Sequence, residues 1–425
     1  MIPKLYAHQE KIIAEGKLKC GLFLGTGASK TRTALELATG ETLVICPKQQ
    51  REDKTWEREN KKWATKVNLT VISKEDIRKM WDELEYFETV IIDECHNNLG
   101  ILPMYVQKNK IQKPKTSQIF EATLNYVKKH NPKRLYLLSA TPVPKPMSMW
   151  GIGILFGQEW DFDQFRRTYY VEIRIGGIRR IWMPKKDEAI KQRLANLVQT
   201  FGYTGGLNDF FDVPEQTHKT VGIELSGEQR KAVADITLSE ADPLVRRSRL
   251  RTIENGVLYG KKIEELEGKI DKMTNHTTLF KSNKIDYIVE RAQEFPKLLV
   301  FANYTAQIEE IARVLRKENY EVSILNGATK DRSFIKTVND SPEPHIIVAQ
   351  SSISSGYELP TFPCVIYASK SWRYVDYEQS LGRVLRANKL KKNLYIHLVV
   401  EGCDKDCHDT IMSGQDFQEK LSLNI

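Results

Sequence analysis

The chain has 425 residues, of which 41% are hydrophobic and 28% are charged, and its formal net charge is +9. This length allows two or three domains with ordinary cores. No apolar stretch approaches the roughly 20 residues that a membrane-spanning helix needs, so we expect no contact with a membrane. The positive charge is compatible with a polyanionic partner and equally with solvated lysines.

The six cysteines are scattered along the chain, and the first residues contain no signal-peptide core. Both features are typical of a protein kept in a reducing compartment, and they predict a cytoplasmic location. Cys403, Cys407 and His408 lie close together in the sequence without a fourth metal ligand nearby. We therefore interpret them as ordinary loop or helix residues rather than as a zinc site.

Strand-like and helix-like segments alternate over residues 1–155, which we interpret as a first lobe. The hydrophobic pattern predicts helices at 31–37 and 54–63, and strands at 21–24, 43–46, 90–92 and 135–138. Alternation of this kind predicts an α/β fold with a parallel sheet and helices on both faces. Ligands of such a sheet bind beyond the carboxyl ends of its strands.

The same alternation returns at residues 281–425, which we interpret as a second α/β lobe. Its pattern predicts a helix at 307–316 and strands at 298–301, 321–325, 346–349, 365–367 and 394–399. Residues 156–280 break the alternation. We interpret them as an insert that contains a hairpin and then helical segments rich in Arg, Lys and Glu.

A glycine-rich run follows the first predicted strand and precedes the first predicted helix. It reads Gly25-Thr26-Gly27-Ala28-Ser29-Lys30-Thr31. Backbone N–H groups at a helix start point toward a bound anion, and the helix dipole favours phosphate there. Lys30 would contact the β and γ phosphates of a nucleotide, and Thr31 would hold Mg²⁺. A side chain at Ser29, where glycine is usual, requires an altered loop, and a plain glycine-rich turn is the alternative.

A second motif follows the strand predicted at 90–92 and reads Asp93-Glu94-Cys95-His96. Asp93 offers a ligand for Mg²⁺, and Glu94 can orient an attacking water. The alternative is a pair of surface carboxylates at a strand end. Together with the glycine-rich run, the motif predicts a site that hydrolyses ATP with Mg²⁺.

Two basic segments are candidates for contact with nucleic acid. The first is a predicted loop without acidic residues between Glu94 and Glu121, and its charges could contact phosphates or remain solvated. Its lysines are Lys108, Lys110, Lys113 and Lys115.

The second basic segment is the hairpin predicted around Gly176-Gly177, where residues alternate on both sides of the glycine pair. We hypothesise that it is a wedge or strand-guiding element at a DNA junction, and the alternative is a structural cover of the first lobe. Its arginines are Arg174, Arg179 and Arg180. A further basic patch on a predicted helix either lines a nucleic-acid path or pairs with glutamates, and consists of Arg246, Arg247, Arg249 and Arg251.

Eight motifs in this order make the chain resemble the superfamily 2 helicases and translocases, motors with two RecA-like lobes. The motifs are Gln9, Gly25 to Thr31 (motif I), Cys46-Pro47-Lys48 (Ia), Asp93 to His96 (II), Ser139-Ala140-Thr141-Pro142 (III), Phe301 to Thr305 (IV), Ser354 to Pro360 (V) and Gln379 to Arg386 (VI). Trp56-Glu57-Arg58-Glu59, the run from Pro142 to Trp150 and the basic insert are similar to the Swi/Snf-like branch. The residues Ala387-Asn388-Lys389 depart from the usual ending of motif VI in that branch.

The resemblance implies two RecA-like lobes, with parallel sheets flanked by helices, an inserted hairpin and a helical inter-lobe region. It also implies roles for single residues. Gln9 would read the adenine edge, Gly356 would contribute to the nucleotide site, and Gln379 would be a catalytic residue. Arg383 and Arg386 would act as arginine fingers, and their spacing of three would place them on one helix face. Nucleic-acid contacts would come from Lys48, Asn303 and Ser354.

The predicted function is that of an ATP-dependent DNA helicase or translocase that acts on branched, forked or duplex DNA. The nearest resemblance is to compact phage helicases that perform branch migration or fork remodelling, which implies a bacterial or phage-infected cytoplasm and is compatible with a monomer. Three alternatives stay open. They are an RNA helicase, a nucleic-acid-binding clamp with weak ATPase activity, for which Ser29 is the reason, and the motor part of a restriction-like complex.

Overall fold

The computed structural model describes residues 3–108, 111–175, 179–185, 187–266, 269–353, 357–386 and 390–414. These residues form two compact units, one that ends at Val213 and one that begins at Pro214. No helix in this part of the chain is long and apolar enough to cross a membrane.

The described part of unit 1 contains a six-stranded parallel sheet with the strand order β10-β1-β7-β4-β2-β3. Two antiparallel hairpins, β5–β6 and β8–β9, lie outside this sheet. The strands are β1 (Lys19–Leu24), β2 (Glu41–Cys46), β3 (Asn68–Ser73), β4 (Thr89–Ile92), β5 (Ile101–Lys108), β6 (Ile111–Thr116), β7 (Arg134–Leu138), β8 (Tyr170–Ile175), β9 (Arg179–Pro184) and β10 (Gly202–Gly205). The helices are α1 (Ala7–Glu15), α2 (Lys30–Leu37), α3 (Lys48–Glu52), α4 (Thr55–Trp63), α5 (Lys74–Met80), α6 (Gln118–His130), α7 (Pro146–Leu155), α8 (Phe162–Tyr169) and α9 (Glu188–Phe201).

Unit 2 has, within the same described ranges, a second six-stranded parallel sheet with the order β11-β18-β17-β14-β16-β15. One long antiparallel hairpin, β12–β13, lies outside it. The strands are β11 (Thr217–Gly222), β12 (Val257–Leu266), β13 (Lys269–Leu279), β14 (Lys297–Ala302), β15 (Val322–Leu325), β16 (His345–Gln350), β17 (Cys364–Tyr367) and β18 (Leu394–Val399). The helices are α10 (Gly227–Ser239), α11 (Pro243–Glu254), α12 (Asn283–Glu294), α13 (Thr305–Lys317), α14 (Phe334–Asp340), α15 (Tyr374–Leu381) and α16 (Cys403–Met412).

Each sheet separates two apolar cores, because neighbouring residues of a strand point to opposite faces. In β2, Leu43 and Ile45 pack in one core, whereas Val44 packs in the other. In β14, Val300 and Phe301 divide in the same way. Strands covered on both faces carry continuous apolar runs, which is why the sequence pattern located them. The predicted α/β class with two lobes is confirmed.

The segment that breaks the alternation differs from its sequence-based description. It contains the predicted hairpin, as β8–β9, and helices, but it also supplies β10 to the first sheet and β11 to the second. Residues 257–279, which we interpreted as helical, form the hairpin β12–β13. The loop predicted around Lys108 to Lys115 is also a hairpin, β5–β6. Its Pro114 pairs with Tyr105 in register, where a shift in the ladder accommodates the proline.

Candidate functional site

The sheet order of unit 1 brings three of the sequence motifs side by side. Strand β7 lies between β1 and β4, and all three run parallel. The glycine-rich loop follows β1, Ser139 follows β7 and Asp93 follows β4. Because parallel strands end at one edge, these residues share the edge where such sheets bind ligands.

The glycine-rich loop is a tight turn that leads directly into α2. Gly27 and Ser29 both have positive φ, at 85° and 58°, and Ser29 immediately precedes the first helical residue, Lys30. The Lys30 Nζ donates hydrogen bonds to the carbonyl oxygens of Leu24 at 2.7 Å and Gly25 at 3.1 Å. The ammonium group therefore lies over the loop, where it could exchange carbonyl partners for phosphate oxygens.

Strand β10 packs tightly behind this loop through glycines. The Gly25 N–H donates to the Gly205 carbonyl at 2.7 Å. A Cβ on Gly25 would lie 3.1 Å from the Gly206 Cα, and one on Gly202 would lie 2.3 Å from the Gly21 oxygen. Only glycine at position 202 fits this approach without a backbone shift. The short strand, which the sequence pattern did not reveal, thus fixes the start of the loop.

Asp93 is the buried carboxyl of the site, with 7% of its surface exposed. Burial, and then the nearby Glu94, raise the pKa of Asp93 to about 7, although Lys30 and hydrogen bonds from the Glu94 N–H and from Gln50 act in the opposite direction. Gln50 in turn accepts a hydrogen bond from the Trp56 indole at 3.3 Å. Trp56, noted in the sequence as a branch feature, is fully buried and acts here as the support of Gln50.

A chain of hydrogen bonds joins the second motif to the third. His96 Nδ1 lies 2.9 Å from the Ser139 hydroxyl and 3.4 Å from a Glu94 oxygen. The Ser139 Oγ also accepts from the Thr141 N–H at 3.0 Å. Glu94 is held at φ 46°, outside the region that non-glycine residues prefer. A change at Glu94 can therefore reach the loop after β7 through one histidine and one serine.

Thr31 and Asp93 fit a magnesium site in the chemistry of their oxygens. Mg²⁺ prefers carboxylate, hydroxyl and phosphate oxygens and usually keeps few protein ligands. A carboxyl with a raised pKa lacks full compensation for its negative charge, which a cation would supply. The described residues contain no group of three or more His, Cys, Asp or Glu that could hold a metal. These two residues would thus hold the ion together with phosphate oxygens of the nucleotide.

Gln9 is fully buried between α1 and α2. Its side-chain oxygen accepts from the Tyr6 N–H at 3.0 Å. Its amide nitrogen donates to the Thr33 hydroxyl at 3.2 Å and to the Ser29 carbonyl at 3.4 Å. The structure therefore places Gln9 against the glycine-rich loop, as the sequence suggested, but below its surface.

In unit 2, the residues after β14, β16 and β17 meet at one edge of the second sheet. The Asn303 N–H donates to the Ser369 hydroxyl at 2.8 Å, and Ser369 donates to Gln307 at 2.5 Å. The Ser351 hydroxyl lies 3.2 Å from the Ala302 carbonyl. Asn303, a predicted nucleic-acid contact, is thus part of a bonded strand-end cluster.

Arg383 and Arg386 do not share a helix face, contrary to the sequence-based expectation. Helix α15 ends at Leu381, and both arginines follow it. Arg383 is buried and donates to the carbonyls of Gln379 and Tyr357, each at 2.9 Å. Arg386 lies 3.5 Å from a Glu358 oxygen. The predicted helix failed because α15 ends at Leu381, before Gly382, and glycine is a poor helix former.

Several predicted contacts fall outside what can be described. Lys110, Ser354 and Gly356 lie outside the described residues. Lys108 pairs with Ile111 and Lys113 with Val106 in the β5–β6 ladder. Arg174 pairs with Arg180, and Arg179 with Ile175, in the β8–β9 ladder. Lys115 is exposed on β6. Lys48 is exposed at the start of α3 and lies 3.6 Å from Glu52.

Two of the four arginines of the basic patch on α11 pair with carboxylates, one of them a glutamate as predicted. Arg247 contacts Asp406 at 2.8 Å, and Arg249 contacts Glu240 at 3.0 Å. Arg251 is buried over the Trp372 ring, with 4.8 Å from its guanidinium carbon to the ring centroid, and donates to the Lys370 carbonyl.

Sequence reasoning missed a buried polar cluster beneath α12 and α16. The Lys284 Nζ is fully buried and donates to Asn255, Asp404 and the Ala368 carbonyl, each at 2.7 Å. Glu254 accepts from the Asp404 N–H at 2.6 Å, and burial raises its pKa to about 7. Four polar residues from different elements formed no motif, so the sequence carried no signal for this cluster. His408, beside it, contacts Lys370 at 2.9 Å, in agreement with an ordinary helix residue.

Comparison with known proteins supports the assignment of the second unit. Residues 280–388 match the sequence model of the helicase conserved C-terminal domain, and this range contains β14 to β17 and the arginines after α15. No curated protein sequence matches the chain.

Among solved structures, the chain is similar to the Sulfolobus solfataricus SWI2/SNF2 ATPase core in complex with dsDNA. The identity is 18%, the match covers 97% of this chain and 92% of that one, and the TM-score is 0.40.

Proposed function

We propose that the protein is an ATP-dependent DNA translocase or helicase that acts on duplex or branched DNA. The observation that carries the proposal is the pairing of two features in one chain. Unit 1 brings Lys30 and Asp93 to one sheet edge, and unit 2 contains a helicase C-terminal domain. Neither feature alone distinguishes a motor from another nucleotide-binding protein.

The residues of unit 1 would bind and hydrolyse ATP. The backbone N–H groups before α2 and the Lys30 ammonium would hold the phosphates, and Thr31 and Asp93 would hold Mg²⁺. The ion would neutralise charge on the phosphates. Glu94, at its strand-end turn, would orient the attacking water. In the same proposal Arg383 and Arg386 of unit 2 stabilise the charge that develops on the transferred phosphoryl group.

DNA is the proposed partner, and contact with its phosphates would come from the two basic hairpins of unit 1. In the β5–β6 ladder, Lys115 lies opposite Leu102, and both are exposed. Tyr105 lies opposite Pro114, and both are half-buried. At the described base of this hairpin, Tyr105 thus packs on the core of the lobe, whereas Lys115 is exposed and could contact a polyanion. Phosphate contacts of this kind bind any sequence and weaken with salt.

Branched DNA is the proposed substrate because β8–β9 is a separate two-stranded hairpin at the edge of unit 1. Its base is held by Arg166 of α8, whose guanidinium carbon lies 4.2 Å from the Trp182 ring centroid. Arg166 also contacts Asp163 at 2.5 Å. An anchored base with arginines near the turn suits a strand-guiding element.

The proposal is tested by ATP turnover and strand displacement over forks, Holliday junctions, blunt duplex, single strands and RNA. We expect turnover to rise most with forked or duplex DNA and to disappear in Lys30→Ala. Stimulation by RNA above DNA would replace the proposal with an RNA helicase. Wild-type protein that binds DNA without turnover would replace it with a clamp.

The role of the β8–β9 hairpin is tested by replacing Arg174, Arg179 and Arg180 together with glutamine. We expect single-strand-stimulated turnover to persist and junction unwinding to be lost. The matched control replaces three exposed lysines on helices of unit 1, Lys11, Lys61 and Lys128, with glutamine. It carries the same change in charge away from the hairpin. Equal unwinding by the two variants contradicts a wedge.

A further inference from the structure

The glycine-rich loop contains a serine in a conformation that usually requires glycine. Ser29 has φ 58° and ψ 36°, which is the left-handed region. A Cβ makes this region unfavourable, so a non-glycine residue stays there only when its surroundings hold it. What holds Ser29 therefore determines whether Lys30 starts the helix at the correct position.

Three hydrogen bonds converge on the Ser29 carbonyl. The Thr33 N–H donates to it at 3.2 Å, the Thr33 hydroxyl at 3.1 Å and the Gln9 amide at 3.4 Å. The first is an ordinary helical bond. The other two come from side chains, and Gln9 also donates to the Thr33 hydroxyl, so the three groups form one closed set.

The preceding peptide is held in the same way. His8 Nε2 lies 3.2 Å from the Ala28 carbonyl. The His8 ring stacks on Phe210, with centroids 4.3 Å apart, and Phe211 contacts it edge-on at 5.6 Å. His8 and Gln9, at the start of α1, thus contact the carbonyl oxygens of Ala28 and Ser29, the two residues that precede Lys30.

Gln9 has no amide hydrogen left for a nucleotide base. A glutamine amide carries two N–H donors, and both are used, by Ser29 and Thr33. Its oxygen accepts from Tyr6, and the whole residue has no exposed surface. Reading an adenine edge would require these bonds to break and the loop to lose its support.

We propose that His8 and Gln9 are positioning residues of the phosphate loop, which compensate for a serine at position 29, and that Gln9 does not read the base. The proposal rests on the nucleotide site proposed above. In this arrangement α1 acts as a brace. Its first turn fixes the Ala28 and Ser29 carbonyls, and this fixes the backbone N–H groups and the Lys30 stem.

The test measures binding of fluorescent mant-ATP and mant-GTP, without Mg²⁺, to Gln9→Ala, Ser29→Gly and the double variant. We expect Gln9→Ala to weaken both nucleotides by the same factor, about fivefold to tenfold. In the Ser29→Gly background the same change should cost less than about twofold, because glycine adopts the left-handed conformation without support. ATP turnover should show the same coupling. Gln9→Ala should raise the KM for ATP and leave the ratio of the KM values for ATP and GTP unchanged.

Two outcomes overturn the proposal. Weakening of mant-ATP with mant-GTP unchanged would show that Gln9 reads adenine. Equal losses in the wild-type and Ser29→Gly backgrounds would show that Gln9 does not act through Ser29. Thr33→Val, which keeps the volume of a buried side chain, gives a second measurement of the same coupling if Gln9→Ala fails to fold, and Gln192→Ala on α9 is the exposed control.

The proposed function and this inference fail in different ways. If the wild-type protein binds both nucleotides through Lys30 but hydrolyses neither, the proposed motor function is wrong. The coupling between Gln9 and Ser29 can then still be measured from nucleotide binding. Wild-type protein that binds neither nucleotide overturns both.

Discussion

Two lysines occupy the first turn of a helix in the two units, and their surroundings differ. Lys30 begins α2, is partly exposed, and its Nζ contacts two carbonyl oxygens of the loop before it. Lys284, the second residue of α12, is fully buried and contacts a carboxylate, an amide oxygen and a carbonyl. Position in a helix therefore does not distinguish a structural lysine from one that we propose to bind phosphate, whereas burial and bonding partners differ between the two.

The carboxyl groups beside the two lysines differ in the same sense. Burial alone would raise the pKa of Asp404, but Lys284, Arg251 and the Asn255 hydrogen bond lower it overall. Burial and the nearby Glu94 raise the pKa of Asp93 to about 7, although Lys30 favours the charged form of this carboxyl. Asp404 is thus compensated by its neighbours, whereas Asp93 in unit 1 has unmet negative charge that suits a cation.

The largest effect that we expect is on the stability of unit 2 in Lys284→Met. Removing one partner of a buried ion pair leaves Asp404 without its compensating charge, which should lower the free energy of unfolding by about 3 to 5 kcal/mol. Urea unfolding followed by circular dichroism measures this loss. Lys281→Met, at an exposed position three residues earlier, is the control and should change stability by less than about 0.5 kcal/mol.

Replacing both partners sharpens the interpretation of that result. Lys284→Met combined with Asp404→Leu should recover part of the lost stability, because neither member of the ion pair is then buried without the other. A double variant as unstable as the sum of the two single ones would mean that the pair is not the source of the effect.

The second prediction concerns the lysine of unit 1. Lys30→Ala should reduce ATP turnover by about 10³-fold, or roughly 4 kcal/mol, because the phosphates lose a positive charge inside their site. The free energy of unfolding should change by less than about 1 kcal/mol, since Lys30 is not fully buried. Turnover assays and urea unfolding of the same preparation separate the two effects. A loss of stability equal to that of Lys284→Met would break the contrast between the lysines.

The third prediction uses the raised pKa of Glu254. Its pKa in the folded state is about 7 against an ordinary value of 4.5, so its favourable contribution to stability exists at low pH and is lost as pH rises through 7. Between pH 5 and pH 8 the stability of the wild type should therefore fall by roughly 2 to 3 kcal/mol relative to Glu254→Gln. Urea unfolding at several pH values measures the difference. Glu224→Gln, at an exposed site, should show no such trend.

The sequence located the strands of both sheets that are covered on two faces, because continuous apolar runs such as Leu298 to Phe301 are typical of buried parallel strands. It also located the glycine-rich loop and Asp93, since each follows such a run. It missed β10, whose residues Gly-Tyr-Thr-Gly have no apolar pattern and are selected by the close approach of backbones. It missed β12–β13 because charged residues along this hairpin resemble an exposed helix.

The environment of each motif residue could not be predicted in the same way. The motif order placed Gln9 beside the loop, but it predicted neither the complete burial of this residue nor its bonds to Ser29 and Thr33. Asp93 depends on Gln50, and Gln50 on Trp56, through contacts that tertiary packing sets. The cluster around Lys284 joins residues up to 150 positions apart in the chain. Such arrangements depend on the fold rather than on local periodicity.

The smallest effect that we expect is on the serine that links two strand ends in unit 1. Ser139 is fully buried, and its hydroxyl forms hydrogen bonds with His96 and with the Thr141 N–H. In unit 2, the Ser369 hydroxyl likewise connects two segments, through the Asn303 N–H and Gln307. Ser139→Ala should lower DNA-stimulated turnover about fivefold and leave mant-ATP binding within about twofold, since one neutral hydrogen bond is worth roughly 1 kcal/mol.

Ser148→Ala is the matched control, because Ser148 is also a buried serine of unit 1 but lies on α7. It should lower stability slightly and leave the stimulation by DNA unchanged. If Ser139→Ala lowers nucleotide binding as much as stimulated turnover, the serine supports the nucleotide site itself and not its link to the loop after β7. If both serine variants behave alike, the effect reflects packing, and the path from Glu94 through His96 to Ser139 carries no coupling.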